Sequence, residues 1–267
     1  SEPAYDRCPQ CGGIMKHIGT GTQKVEEELH ALFPGAKVLR MDTDTVGASH
    51  GHEKLLRQFE EEKIPILLGT QMVAKGLDFE NVTLVGVLCA DVSLYIDNYR
   101  APERTFSLLS QVVGRAGRGS KQGRAIIQTF TPENEVIRAA AAQDYDAFYE
   151  SEIRMRRLRR YPPFADLFSF TVTGADESRV IRAAKVLRDA LGYAVERREE
   201  LKPLSIEVLG PAGASVVKVN NRYRYRVFLV GKGCPALRRL VAEYLYAFYQ
   251  HKENRGLDIF ADCNAIQ

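Results

Sequence analysis

IPILLGTQMVAKGLDF, residues 64–79, sets an apolar run directly against a polar, glycine-containing one. The first six residues are short, aliphatic and closed by a turn residue, which is the pattern of a buried β-strand. Thr70 and Gln71 then stand where that strand meets a short helix that Gly76 can terminate. Lys75, Gly76 and Asp78 follow. Small, polar and charged types thus cluster at the carboxyl end of a strand, where a doubly wound α/β sheet holds its ligands.

Working outward, three runs of the same kind surround it: AKVLRM (36–41), VTLVGVLC (82–89) and GRAIIQTF (123–130). Helical patterns fall between them. TQKVEEELHALF (22–33) places Val25, Leu29 and Leu32 or Phe33 on one face, and GHEKLLRQFEEEK (51–63) does the same with Leu55, Leu56 and Phe59. This alternation predicts a doubly wound parallel sheet. After Phe130 the pattern turns helical over 133–142 and 144–160, joined by Gln143, until YPPF (161–164) stops it, since paired prolines cannot continue a helix. A new order then begins. It reads strand (LFSFTVTG, 167–174), helix (177–200), strand (SIEVLG, 205–210), a turn-rich stretch, strand (YRVFLV, 225–230), helix (235–250), strand (LDIFAD, 257–262). That is a smaller α+β domain of β-α-β-β-α-β order, with its boundary at about residue 161.

A chain of 267 residues with 45% hydrophobic content suits two such domains. It has no apolar run of the roughly 20 residues that a spanning helix needs, so no membrane partner is expected. The opening SEPAYDRCPQ lacks the charged-then-apolar order of a signal peptide. Five cysteines, with only one close pair, do not make a secreted disulfide framework, and the expected compartment is the cytoplasm. Residues 161–267 hold the positive excess, 16 Lys and Arg against 12 Asp and Glu. That balance permits contact with an anionic polymer without requiring it.

Two further stretches carry chemistry. GTGTQKVEEEL (19–29) places a glycine-threonine turn before a helix, where free N–H groups and hydroxyls can hold a phosphate; taken alone, it reads as a helix cap by Thr22. QVVGRAGRG (111–119) puts Gln111, Arg115 and Arg118 on one helical face, with Val112 and Val113 turned inward and glycines that allow close approach. Each helical glycine costs roughly 1 kcal/mol against alanine. A planar guanidinium suits phosphate oxygens. The competing reading is cations favoured by a helix C-terminus; this spacing, downstream of GTQMVAKGLDF, argues for the phosphate.

GTGTQKVEEEL, RMDTDT (40–45), GTQMVAKGLDF and QVVGRAGR, in this order, resemble the second motor lobe of a superfamily 2 helicase, a RecA-like fold. CPQCGG (8–13), the GTQMVAKG wording, and RRYPPFADL (159–167) followed by the split α+β tail are similar to the PriA family of primosomal DNA helicases. The resemblance implies an ATP-dependent 3′–5′ helicase of replication restart that recognises stalled forks and initiates primosome assembly. It makes Arg118 the arginine finger, Arg115 a second phosphate contact and Gln111 their support. Gly76 and Asp78 would couple the nucleotide cleft to the DNA track, and Thr22, Thr70, Gln71 and Lys75 would lie along that track. Family members also carry a first lobe with a GxxxxGK[ST] loop and an acidic magnesium motif. This chain contains neither, so ATP with Mg²⁺ would be held mainly by another lobe and the fragment alone would not hydrolyse ATP. Implied partners are forked and single-stranded DNA, single-stranded-DNA-binding protein and primosome proteins, with the chain itself a monomer. The alternative is a non-enzymatic docking module for branched DNA or the tail of single-stranded-DNA-binding protein.

Cys8 and Cys11 have the Cys-x-x-Cys spacing of zinc ligands, but a closed site needs four, and His17 is a third candidate. The pair reads as half of a Zn²⁺ site within a zinc-region remnant, residues 1–16, ahead of a motor lobe over 17–160 and a tail domain over 161–267. Cys89, Cys234 and Cys263 read as core residues. RMRRLRR (154–160) carries five arginines, and NNRYRYR (220–226) alternates arginine with tyrosine. Both can grip nucleic acid through charge and stacking. NNRYRYR equally suits a half-buried strand, with Tyr223 and Tyr225 on one face and Arg222, Arg224 and Arg226 on the other.

Overall fold

The computed structural model describes residues 21–42, 51–71, 82–114 and 123–264. They divide into two compact units. The first takes in the chain through Tyr95 and from Ala101 to Phe148; the second comprises Ile96–Arg100 and the chain from Tyr149 onward. Among the described residues, no helix is long and apolar enough to cross a membrane.

In the first unit, α1 (Thr22–Leu32) leads into β1 (Val38–Met41), and α2 (Gly51–Glu61) leads into β2 (Ile66–Gly69). β1 and β2 pair in parallel, with Met41 opposite Gly69. β3 (Leu84–Val87) is followed by the single-turn α3 (Asp91–Leu94), by α4 (Ala101–Val113) and by β4 (Arg124–Ile127), which pairs in parallel with β3. All four strands lie within the aliphatic runs that mark them in the sequence. Among the described residues they pair two by two, and no pairing joins the two sheets. α5 (Glu135–Ala142) and α6 (Tyr145–Leu158) follow, with Gln143 between them in the left-handed conformation (φ 55°). The core lies where α4 meets α5 and the start of α6. Phe106 stacks on Phe148 at 4.2 Å, beside Leu109, Ile137 and Ala140. The expected apolar face of α1 is only partly covered: Val25 and Leu29 are half-buried, but Leu32 and Phe33 are exposed.

The second unit runs β5 (Asp166–Gly174), α7 (Glu177–Arg197), β6 (Glu207–Val219), β7 (Arg222–Gly231), α8 (Pro235–Gln250) and β8 (Asp258–Cys263). Its sheet has the order β6-β7-β5-β8, and every neighbouring pair is antiparallel. β5 and β6 therefore point the same way with β7 between them. Period 2 decides the faces. Phe168, Phe170 and Val172 of β5, Val227 and Leu229 of β7 and Ile259 of β8 are buried in one core. Against it α7 sets Val180, Ala184, Leu187 and Leu191, spaced four, three and four apart, as one helical stripe demands. Asp176 caps α7 by accepting from Arg179 N, and the Cys234 thiol does the same for Leu237 N of α8.

The turn-rich stretch expected after Gly210 is a correction: it belongs to β6. The strand continues to Val219 because its irregularities are absorbed as register shifts, between Leu209 and Ala212 and between Gly213 and Lys218. Asn220 and Asn221 then both adopt positive φ (50° and 59°), the conformation of a two-residue hairpin turn, and asparagine is among the few side chains suited to it. Cys263 is a second correction. Sited at the end of the edge strand β8, it is exposed, whereas Cys89 and Cys234 are half-buried.

Candidate functional site

At the carboxyl edge of the β1–β2 pair three separate sequence motifs meet. Asp42 follows β1 and Thr70 and Gln71 follow β2, so the opposed register delivers them to one edge. The N-terminus of α1 is brought to Asp42 by Thr22, whose Oγ1 donates to Asp42 Oδ2 at 2.7 Å. Arg40 completes the tie, with Nε 3.1 Å from Asp42 and Nη1 2.8 Å from Glu26 of α1. Asp42 is 5% exposed and has its charge answered by Arg40. Thr22 is not the helix cap. That position belongs to Gly21; among the described residues no side chain caps the first turn, and no acidic residue occupies it. The first-turn N–H groups of α1 and its positive dipole terminus are of a kind suited to an anion. Thr70 and Gln71 are exposed beside it in sequence register.

The helix that leads to the two arginines is α4. Gln111 is exposed in its last turn and donates through Nε2 to Ser107 Oγ at 3.1 Å. A Cβ on Gly114 would meet Gln143 Nε2 at 3.0 Å, and that amide donates to the Ser110 carbonyl at 3.3 Å. Gln143, which the sequence marks only as a joint between helices, therefore adds a second bond to a carbonyl that already accepts from Gly114 N at 3.0 Å. Gly114 leaves it room. Arg115, Arg118, Lys75, Gly76, Asp78, Cys8, Cys11 and His17 lie outside the described residues.

Asp91 is the second residue that the sequence does not reveal. It is 1% exposed, yet its carboxylate accepts from Thr131 Oγ1 at 2.7 Å, Thr129 Oγ1 at 2.9 Å and Phe130 N at 2.9 Å. Burial pushes its pKa up; the hydrogen bonds from Thr131, Phe130 and Thr129 together outweigh burial and hold it below the usual carboxylate value. Beside it Thr105 of α4, fully buried, donates to Ser93 Oγ at 2.9 Å, and Ser93 donates to the Ala90 carbonyl at 3.0 Å. The polar chain fastens α3 to α4, and Asp91 fastens it to the end of β4. The only signal in the sequence was an acid just after an aliphatic run.

In the second unit the arginine row divides. Tyr223 and Tyr225 pack against the helix-side core, and Tyr225 Oη donates to Glu177 Oε1 at 2.8 Å, a bond that with burial raises the Tyr225 pKa. Both residues are half-buried on the core side of the strand. Arg222 pairs with Asp258 and donates to the Thr173 carbonyl at 3.2 Å. Arg226 is 6% exposed, and its Nε has no hydrogen-bond partner among the described residues. Burial, with the Arg224 charge beside it, pushes its pKa down. Arg224 is half-buried between them on the same face. RMRRLRR divides as well. Arg156 pairs with Glu152, Arg157 lies over the Phe164 ring at 4.9 Å and Arg160 donates to the Ser205 carbonyl, while Arg154 and Arg159 are exposed.

Comparison with known proteins places these elements. Residues 18–120 match the helicase conserved C-terminal domain, and residues 157–264 match the primosomal protein N C-terminal domain. Replication restart protein PriA of Bacillus subtilis is 41% identical over 98% of this chain, which covers 32% of that protein. The chain belongs to the PriA family and corresponds to its C-terminal part. PriA of Synechocystis is 40% identical over 83% of the chain and 26% of its own length, and PriA of Treponema pallidum 37% identical over 92% and 36%. The chain thus spans about a third of the length of these curated PriA relatives.

Proposed function

We propose that the chain is the second, RecA-like motor lobe and the tail domain of an ATP-dependent 3′–5′ DNA helicase that recognises stalled forks and starts primosome assembly and replication restart. The observation that carries this reading is the convergence of Thr22, Asp42, Thr70 and Gln71 at one strand edge beside an uncapped helix end. Residues of three separate motifs thus share one strand edge, with Thr70 and Gln71 exposed there, which supports a ligand site at that edge. In this reading the doubly wound lobe spans 17–160, the tail domain 161–267, and residues 1–16 are a zinc-region remnant in which Cys8 and Cys11 supply two of four ligands for Zn²⁺.

Thr22, Thr70, Gln71 and Lys75 hold phosphates of one DNA strand. Gly76 and Asp78 link that track to the nucleotide. Arg118 meets charge developing on the γ-phosphate, Arg115 adds a second contact and Gln111 supports both. ATP with Mg²⁺ is held mainly by a first lobe, which supplies the phosphate loop and the acidic motif; this chain alone is inactive as an ATPase. Forked and single-stranded DNA, single-stranded-DNA-binding protein and primosome proteins are its partners, in the cytoplasm, with the protein a monomer. The relatives are replication restart proteins, which supports the pathway.

The test is Arg118→Ala in the full-length parent, with steady-state ATPase and DNA-binding titrations. Hydrolysis should fall by about 10³ to 10⁵ while DNA affinity stays near the parental value. A variant that hydrolyses ATP at the parental rate would sink the reading.

A further inference from the structure

The sheet of the second unit has two outer strands, and their edges are not alike. β6 is broken by register shifts between Leu209 and Ala212 and between Gly213 and Lys218, irregularities of the kind that blunt an edge. β8 pairs with β5 without a break from Asp258, opposite Thr173, to Cys263, opposite Phe168. Its far side is therefore the regular edge of the sheet. Successive residues of an antiparallel ladder turn their backbone groups to opposite sides. Asn264 N donates to the Leu167 carbonyl at 2.8 Å, so Asp258, Phe260 and Asp262 likewise bond to β5, while Ile259, Ala261 and Cys263 turn their groups outward. Tyr249 of α8 agrees with that parity. Its Oη accepts from Ile259 N at 3.2 Å and donates to the Ile259 carbonyl at 3.2 Å. One hydroxyl thus fills both places that a neighbouring strand would take at Ile259. Among the described residues, no partner meets the outward groups of Ala261 or Cys263.

We propose that β8 is a strand-addition surface for a second copy of this chain, held shut by Tyr249. The inference is independent of the motor reading. Charge and register select the second copy and the way it would pair. Two β8 strands lying antiparallel, outward groups to outward groups, can centre on Phe260, Ala261 or Asp262. Centred on Phe260, they set Asp258 against the partner's Asp262; centred on Asp262, they set that carboxylate against its own copy. Like charges directly opposite destabilise a strand pair, and both aspartates are exposed. Centred on Ala261, they set Phe260 beside the partner's Asp262, with Ile259 opposite the partner's Cys263 and Ala261 opposite itself. Every outward backbone group of those residues then finds a partner, and no like charges stand directly opposite. Only Tyr249 bars this register. It does so twice, because the pair is symmetric and each copy must offer its own Ile259. Such a pair would be closed, since each copy uses its regular edge on the other.

Sedimentation equilibrium of this chain and its variants, with amide exchange at residues 261 and 263, tests the proposal. Tyr249 is 56% exposed, so Tyr249→Ala should fold, and it should dimerise with an association constant at least about tenfold above the parent's. Exchange at Ala261 and Cys263 should slow by about tenfold as protein concentration rises through that transition. Adding Ala261→Pro, which removes the central outward N–H without removing a bond to β5, should return association to the parental level. Tyr249→Phe keeps the ring beside Ile259 and loses only the hydroxyl, so it should fall between the parent and Tyr249→Ala. A folded Tyr249→Ala chain that associates no more than the parent overturns the proposal. So does a dimer whose 261 and 263 amides exchange at the monomer's rate, or one that persists with Ala261→Pro. If Tyr249→Ala does not fold, Tyr249→Phe decides, and association equal to the parent's then overturns it.

Discussion

Replacing Asp91 tests the polar anchor that ties α3 to the end of β4. In Asp91→Ala, Phe130 N–H loses its bond to the buried carboxylate, the Thr129 and Thr131 hydroxyls lose theirs, and a carboxyl-sized gap opens. Each hydrogen bond to a charged acceptor contributes about 1.5–3 kcal/mol. With rotatable hydroxyls recovering part of their loss, the total should be about 2–4 kcal/mol. Asp91→Asn should cost only about 1 kcal/mol, because its amide oxygen can take Phe130 N–H while its NH₂ donates to threonine oxygens that turn to accept. Urea unfolding at neutral pH, followed by peptide-resolved thiol labelling of Cys89, reads the first unit, and Cys234 reads the second as a control. The pH dependence has a definite sign. The folded state holds Asp91 below its unfolded pKa of about 3.9, so its contribution is present above that value and is lost as pH falls through the folded pKa. The gap between parent and Asp91→Asn should therefore narrow below about pH 4. Equal costs for the two variants, or no change in Cys89 labelling, would refute the claim that these hydrogen bonds anchor β4.

Gly174→Ala should destabilise the second unit by about 1–3 kcal/mol, because an added Cβ would clash with Leu257 Cδ2 and sit 3.1 Å from Val180 Cγ2; urea midpoints read at Cys234 check it, and no shift would mean that Leu257 simply swings aside. Arg226→Met should be neutral or stabilising by up to about 2 kcal/mol, since a buried cation whose Nε has no partner among the described residues is exchanged for an apolar chain of similar length. The same midpoint measurement decides it, and a loss of more than about 2 kcal/mol would show that the guanidinium finds a partner in solution.

The elements were legible because each rests on a local signal. IPILLG and VTLVGVLC are strands whose side chains have few other places to go, and α7 advertises itself through Val180, Ala184, Leu187 and Leu191. β6 was harder. Pro211, Gly210 and Gly213 look like a loop because each weakens a strand in isolation, yet pairing with β7 resumes on either side of every irregularity. The benefit of that pairing lies in another strand, so a window along β6 cannot contain it. Leu32 and Phe33 show the converse. They continue the apolar face of α1, but a helix end can carry the pattern past the surface that covers it.

Polar function was less legible for the same reason, since partners are distant in the chain. Thr22 meets Asp42 across 20 residues, Gln143 meets Ser110 across 33 and Asp91 meets Thr131 across 40. A motif can say that threonine belongs at a helix start; only the meeting with Asp42 tells whether its hydroxyl caps the helix or leaves the N–H groups free for an anion. The arginines of β7 make the point most sharply. Period 2 puts Arg222, Arg224 and Arg226 on one face, and that much was readable, but the face is not uniform. Asp258 neutralises the first and burial enfolds the last. A polyanion approaching this face would therefore not meet three equivalent charges. Equal spacing in a sequence predicts equal direction, not equal exposure, and phosphate binding depends on exposure.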